Sequence, residues 1–383
     1  MVVRDVYSEE EKEMLANFEK AASKVEGWSK SLNRKIATEE FIINTASFDI
    51  RNPLWRDKNY AAGTRWGGII APPIFQDTIG GGTHCDPVVP PSVGFRSFEY
   101  PSVEVWEFFN PIRINDSFKV LSRSPKLEDV TSLDGNGLRK FKFLARDGDI
   151  INQRDELNST FKLYLELTIL PKPPVKQKVK PSPEYIYTKE ELEFIERVYN
   201  EEKIRGADTL YWEDVSEGEE IGAVIMGPIT MWDLIVFFAG RQSAPLIPMM
   251  EMRKMVPHTL SLDPATGVTH HDIEWHFSDS QAQMKGEPRA FCLAGITRQI
   301  MVRSVTNWMG DDGFIRKFEF THNTRTYVGD TVIGRGKVVN KRIEDGKYLV
   351  DLSLWLENFR GNISDASFAT VELCSREKPY KWK

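Results

Sequence analysis

The sequence predicts an α+β chain in which one plan, helices first and an antiparallel meander after, is laid down twice. Three observations carry that reading. Between Val93 and Leu170 the apolar residues take the spacing of strands, and strand patterns return from Phe314 to Cys374. A helical stripe at Ile296, Ile300, Met301, Val305 and Trp308 precedes the second set. Thr230–Gly240 stands to the second half as Thr38–Ala46 stands to the first, and His276–Pro288 matches Trp55–Gly67 in the same way. Two halves of similar length on one plan suggest duplication, as two similar domains or one pseudo-dimer.

Residues 8–24 read as an amphipathic helix, capped by Ser8 with Glu9, Glu10 and Glu11 in its first turn. Thr38–Ala46 reads as a second helix. A short apolar helix is expected from about Pro73 to the glycines 80–82, followed by a Pro- and Val-rich loop. Strands are expected at Phe95–Phe109, Ser117–Lys126, Arg139–Asp147 and Asn158–Leu170, with a turn at Asp134–Gly137. Pro171–Pro183 is rich in Lys and Pro, a composition that favours an extended linker. A helix starts near Thr188, with Thr188 and Glu191 as a capping box. Gln242–Thr269 reads as an insertion that re-aims a loop or forms a lid. Strands close the chain at Phe314–His322, Thr331–Lys341, Lys347–Asn358 and Ser364–Cys374. The expected division is 1–170, a linker and helix over 171–207, and 208–383.

Composition narrows the function. A net charge of -6 with no long basic run argues against a nucleic-acid partner. No apolar run reaches the length of a membrane span, and Met1-Val-Val-Arg-Asp5 lacks a signal-peptide core, so a cytoplasmic protein is expected. The three cysteines, Cys85, Cys292 and Cys374, are too far apart for a disulfide framework or a clustered zinc site. Cys292 lies between Phe291 and Leu293 and reads as a buried structural thiol rather than a nucleophile.

The stretch His270–Gly295 carries the candidate chemistry. Three of the six histidines, His270, His271 and His276, fall in its first seven residues, with Asp272, Glu274 and Asp279 around them. A turn at Gly286 and Pro288 follows, and Ala294-Gly295 opens a helix. Imidazoles, carboxylates and a helix N-terminus together suit acid/base chemistry on a carbonyl compound. His276 is the candidate catalytic residue; the alternative is a hydrogen-bonded loop histidine. His271 or Asp272 is its candidate partner, and either could instead serve a turn or a helix cap. Ala294 and Gly295 are candidate N–H donors. Trp55, Arg51, Arg56 and Trp66 could line an acyl pocket, or be core tryptophans and solvated arginines. No metal is expected at the histidines.

A family resemblance emerges from these residues. Asn52-Pro-Leu-Trp-Arg-Asp57-Lys-Asn-Tyr-Ala61 resembles the hydratase motif of MaoC-like proteins, Asp-x-Asn-Pro-Leu-His-x-Asp with a following Ala. Asn115-Asp116 and Gly329-Asp330-Thr331 resemble the Gly-Asp-Thr of that family, and Trp308–Ile315 is similar to a stretch in its two-domain members. The order and repetition of these motifs over both halves point to the two-domain type of the MaoC-like (R)-specific enoyl-CoA hydratase/dehydratase family. The resemblance implies a double hot-dog fold, each half a central helix wrapped by a curved antiparallel sheet. It implies reversible hydration of an enoyl thioester of CoA or a carrier protein, no cofactor apart from the CoA of the substrate, and a homo-oligomer. It places the family His on Trp55 in the first half, which would then bind the acyl group, with Trp55 and Arg56 in its wall. It places that His on His276 in the second half, the family Asp on His271 with Asp272 one place later, and the oxyanion donors on Ala294 and Gly295. The alternatives are a non-catalytic hot-dog protein that binds an acyl thioester or joins a complex, and a thioesterase on the same fold.

Overall fold

The computed structural model describes residues 7–24, 27–28, 36–79, 97–131, 138–169, 182–241, 248–255, 260–284, 286–361 and 363–378. Helix α1 (Glu9–Ala22) opens on a capping box between Ser8 and Glu11 and buries Met14, Phe18 and Ala22. They pack with Phe141, Phe143 and Leu167 in a small apolar cluster. Helix α2 (Glu39–Thr45) is capped by Thr38, and α3 (Lys58–Ala62) by Asp57.

Six strands follow the same half: β1 (Gly27–Trp28), β2 (Ser97–Phe108), β3 (Phe118–Ser122), β4 (Lys126–Asp129), β5 (Lys140–Asn152) and β6 (Leu157–Thr168). Past α4 (Lys189–Glu201), capped as expected by Thr188 and Glu191, the second half begins with β7 (Glu220–Met226) and α5 (Met231–Arg241). It continues with α6 (Met249–Met255), the short pair β8 (Leu260–Leu262) and β9 (Thr269–His271), α7 (Asp279–Met284) and α8 (Ala294–Met309). The strands β10 (Phe314–His322), β11 (Val332–Glu344), β12 (Lys347–Asn358) and β13 (Ile363–Glu372) end it.

Among the described residues the long strands form one antiparallel sheet, ordered β1-β3-β5-β6-β2-β10-β13-β12-β11-β7, with β4 beside β5. The order is the same outward from its middle: β2, β6, β5, β3, β1 on one side and β10, β13, β12, β11, β7 on the other. The halves join where β2 pairs with β10, Trp106 opposite Phe318 and Ser102 opposite His322. Every side chain of α8 from Ile296 to Met309 is buried, because the helix packs on β7, β10, β11 and β12 of its own half and on the 3-10 turn Ala46–Asp49 of the other. A helix apolar or buried all round belongs in an interior. This is the arrangement of a double hot-dog, and α8 is the central helix of the second half.

The duplication is visible bond by bond. Ala37 N–H donates to the Asp116 carbonyl oxygen at 2.8 Å, and Ile229 N–H donates to that of Asp330 at 2.9 Å. The Asp116 carboxylate accepts from Arg113 N–H at 2.9 Å, and the Asp330 carboxylate from Tyr327 N–H at 3.0 Å. The residue before each aspartate is left-handed: Asn115 at φ 67° and Gly329 at φ 94°. Gly and Asn are the residues that tolerate that conformation.

Some elements differ from expectation. The strand expected over Ser117–Lys126 is two, β3 and β4, because Pro125 between them has no N–H for the ladder. The apolar run Glu220–Met226 is a strand that the pattern reading did not pick out. The helix expected from Pro73 is a 3-10 turn over Phe75–Thr78, and the glycines 80–82 lie outside the described residues. So do the turn Asp134–Gly137, Cys85 and most of the Lys/Pro-rich stretch. The described part of Gln242–Thr269 holds α6 and the β8–β9 hairpin. No helix among the described residues is long and apolar enough to cross a membrane.

Candidate active site

The histidine stretch folds on itself through its own side chains. His271 is the N-cap of the 3-10 turn Asp272–His276: its Nδ1 accepts from Ile273 N–H at 3.0 Å, and its own N–H donates to Glu274 at 2.9 Å. The other oxygen of Glu274 pairs with His270 Nδ1 at 2.7 Å. His271 and Glu274 therefore form a capping box in which an imidazole stands where Ser or Thr is usual. Two of the three clustered histidines hold the local backbone.

The third is placed differently. His276 is 8% exposed, and its Nδ1 lies 2.8 Å from the Phe291 carbonyl oxygen. A carbonyl only accepts, so the proton sits on Nδ1 and the neutral ring carries its lone pair on Nε2. The ring packs edge-on against Phe291 and Trp275, with centroids 4.5 and 5.5 Å away. Burial pulls its pKa down to about 4, the Phe291 bond opposes this, and the charge of His322 lowers it further. The ring is thus neutral at pH 7, the state a general base requires.

Phe291 leads directly into α8. Its N-cap, Leu293, offers no side-chain acceptor, so no side chain caps the first-turn N–H groups at Ala294 and Gly295. Phe237 of α5 covers Gly295 so closely that a Cβ there would stand 2.5 Å from the ring. The adjacent Phe238 packs on Phe277 at 5.7 Å. Helix α5 thereby packs on the start of α8 and on Phe277, the neighbour of His276. A neutral imidazole and an uncapped helix N-terminus, three residues apart along one bond path, can deprotonate water and stabilise a developing oxyanion.

Carboxylates are the missing part. Among the described side chains none hydrogen-bonds His276: Glu274 is engaged with His270 and His271, and Asp279 accepts from Ala290 N–H at 2.7 Å. The main chain of Asp272 opens the 3-10 turn, and its side chain lies outside the described part. Among the described residues no group of three His, Cys, Asp or Glu could hold a metal ion. Cys292 is buried, and burial pushes its thiol pKa up, so it has no nucleophilic character at neutral pH. His322, at the end of β10, escaped the sequence reading. It is 6% exposed, burial drops its pKa to about 4, and it stands near enough to His276 and Arg298 to feel both. Only its rarity could have flagged it.

The first half shows the same place with different chemistry. Ile70 bridges to Arg113 as Phe291 bridges to Tyr327, which sets Trp55 on the position of His276 and Pro73 on that of Ala294. A tryptophan cannot shuttle a proton, and a proline has no N–H to offer an oxyanion. Trp55 Nε1 instead donates to Asp49 at 2.9 Å. Burial pushes the Asp49 carboxyl up to about 6, with Glu202 adding to the effect and Trp55, Arg303 and Thr306 opposing it. Cavities in this half touch several of the residues named for an acyl pocket. One cavity, of about 40 Å³, is lined by Trp55 and Trp66, and another, of about 510 Å³, by Asp49, Arg51 and Arg303. Arg56 lies on the surface and donates to the Ile50 carbonyl oxygen at 2.9 Å. Arg51 pairs with Glu202, and Trp66 donates to the Asp311 carbonyl oxygen.

No family model matches the sequence, and no curated protein does. Solved structures do. One described as a MaoC-like dehydratase aligns over 92% of this chain and 99% of its own, with a TM-score of 0.59 and 13% identity. The chain has the double hot-dog fold of MaoC-like dehydratases. A second double-length relative, a MaoC-domain dehydratase from Chloroflexus aurantiacus J-10-fl, covers 90% of this chain and 93% of its own at a TM-score of 0.50 and 12% identity. The likeness to these dehydratases is one of fold. Among the described residues, an imidazole beside a helix N-terminus is found in the second half, with Trp55 and Pro73 at the matching places of the first.

Proposed function

We propose that the protein reversibly hydrates an enoyl thioester of CoA or of a carrier protein, with the chemistry in its second half. One observation carries the reading: His276, kept neutral by burial and fixed in its tautomer by the Phe291 carbonyl, stands next to the uncapped start of α8, in the fold that MaoC-like dehydratases use. His276 Nε2 takes a proton from water. The water oxygen bonds to C3 as the C2–C3 π pair moves toward the thioester. The thioester oxygen takes the negative charge beside the N–H groups of Ala294 and Gly295. C2 then regains a proton from the imidazolium, so a single ring balances the addition. Asp272 is the proposed partner carboxylate, orienting the water; His271 is committed to its cap. The reaction needs no cofactor.

The test is hydration in D2O. The reading expects one deuterium at C2 of the 3-hydroxyacyl product, and the label and product lost together in His276→Gln. Product formed with no label, or at an undiminished rate in the variant, contradicts it.

A second reading is a non-catalytic double hot-dog that binds acyl thioesters. It is favoured by the missing carboxylate contact at His276. It predicts thioester binding with no turnover in wild type and variant alike.

A further inference from the structure

The hydratase reading leaves one group of buried charges unused. Arg298 stands in the second turn of α8, 3% exposed, and its guanidinium is gripped by Asp77 and Glu104. Arg241, the last residue of α5, is 1% exposed. It donates from Nη2 to the Ile74 carbonyl oxygen at 2.8 Å and stands 3.5 Å from Asp77. Among the described residues its buried Nε and Nη1 meet no hydrogen-bond acceptor, and neither does Arg298 Nε. Arg146 adds a third positive charge beside Asp77. Among the described residues Arg241 and Arg298 share the Asp77 carboxylate, and Glu104 pairs with Arg298. Buried charged donors without acceptors are costly, and a fold that keeps them has a reason to.

The cluster adjoins the proposed site on several sides. The Cβ position of Gly295 lies 3.5 Å from Arg298 Nη2 and 2.5 Å from the Phe237 ring. The Arg241 guanidinium lies 5.2 Å from that same ring. Phe238 reaches Phe277 next to His276, and His322 feels both Arg298 and His276. Positive charge therefore continues from the uncapped first turn of α8 to the end of α5. Burial lowers the Arg241 pKa only to about 10, so it stays charged at neutral pH.

We infer that the site takes a short acyl thioester whose chain carries a second, free carboxylate, and that Arg241 receives that carboxylate with Arg298 beside it. This rests on the acyl-thioester reading above. An unsaturated dicarboxylic acid esterified at one end is the substrate class. Its free carboxylate would supply the acceptor that the Arg241 N–H groups lack, in a charge-assisted hydrogen bond.

The test is equilibrium binding of two unreactive probes of equal chain length, succinyl-CoA and butyryl-CoA, to the full chain. The wild type should hold succinyl-CoA at least ~10-fold tighter. Arg241→Met should erase the preference while leaving butyryl-CoA binding little changed, and Arg241→Lys should restore part of it. Equal affinity of the wild type for both probes overturns the proposal, as does a preference that survives in Arg241→Met. If Arg241→Met does not fold, the wild-type comparison decides alone. Binding of butyryl-CoA without the preference removes only the carboxylate inference. Binding of neither probe removes the acyl-thioester reading with it.

Discussion

His276 donates from Nδ1 to the carbonyl oxygen of Phe291 at 2.8 Å. That bond fixes the tautomer, aims the ring and ties it to the segment that becomes α8 three residues later. The proton acceptor and the N–H donors are thus positioned by one piece of backbone. Its counterpart in the first half is Trp55, held by Asp49 rather than by a carbonyl.

The first prediction concerns pH and rate. Burial holds His276 at about 4, and the active form is the unprotonated one. kcat/KM for enoyl-thioester hydration should stay level from pH 8 to about 5 and fall as pH approaches 4. A limb near 6.5, the ordinary histidine value, would mean that a different group is titrating.

Stability should also depend on these rings. His276 and His322 each have a folded pKa of about 4, below the unfolded value of 6.5. As pH falls through 6.5 the unfolded chain takes up protons first, so stability is lost between about 6.5 and 4 and then levels off. Each ring contributes up to about 3 kcal/mol of this loss. Urea midpoints at pH 7 and pH 4.5 measure it, and His322→Phe should flatten the profile.

Asp49 works in the opposite sense. Its folded pKa of about 6 lies above the unfolded 3.8, so its contribution is complete below 3.8 and is lost as pH rises through 6. Asp49→Asn keeps an acceptor for Trp55 Nε1 and removes a half-buried charge. It should raise stability by about 1–2 kcal/mol at pH 7.5, with the gain fading toward pH 4. A variant that is equally destabilised at both pH values would show that Arg303 and Thr306 need the carboxylate.

Gly295 tests the packing of α5 on the start of α8. A Cβ there would meet the Phe237 ring at 2.5 and 3.0 Å, and overpacking of this kind costs about 1–3 kcal/mol. Gly295→Ala should lower Tm and activity together, and adding Phe237→Leu should recover both. Full activity in Gly295→Ala would show that α5 moves aside freely.

The sequence carried the architecture well because its cues are local and repeated. The caps at Ser8 and Thr188 and the strands Phe314–His322 and Lys347–Asn358 are where the pattern puts them. The paired Asp116 and Asp330 turns betray the duplication from their spacing alone. The site was less legible. His271 sits where the motif wants a carboxylate, and only its bond to Ile273 N–H shows it spent as a cap. Trp55 and Arg56 adjoin the motif alike, yet Trp55 is buried and lines a cavity while Arg56 lies on the surface; whether a neighbour in sequence faces a cavity depends on tertiary packing. Arg241 and His322 carry no motif at all. What sets them apart is burial, which a sequence pattern does not report.

The account turns on His276. The most direct measurement is loss of the conjugated-thioester absorbance for a panel of straight-chain, branched, aromatic and carboxylated trans-2-enoyl-CoA esters, with wild type and His276→Ala side by side. The account predicts turnover of at least one ester and a fall in kcat of ~10²–10⁴ in the variant, the range for a lost general acid–base group. Turnover that is unchanged in His276→Ala, or no turnover of any ester by the wild type, would contradict it.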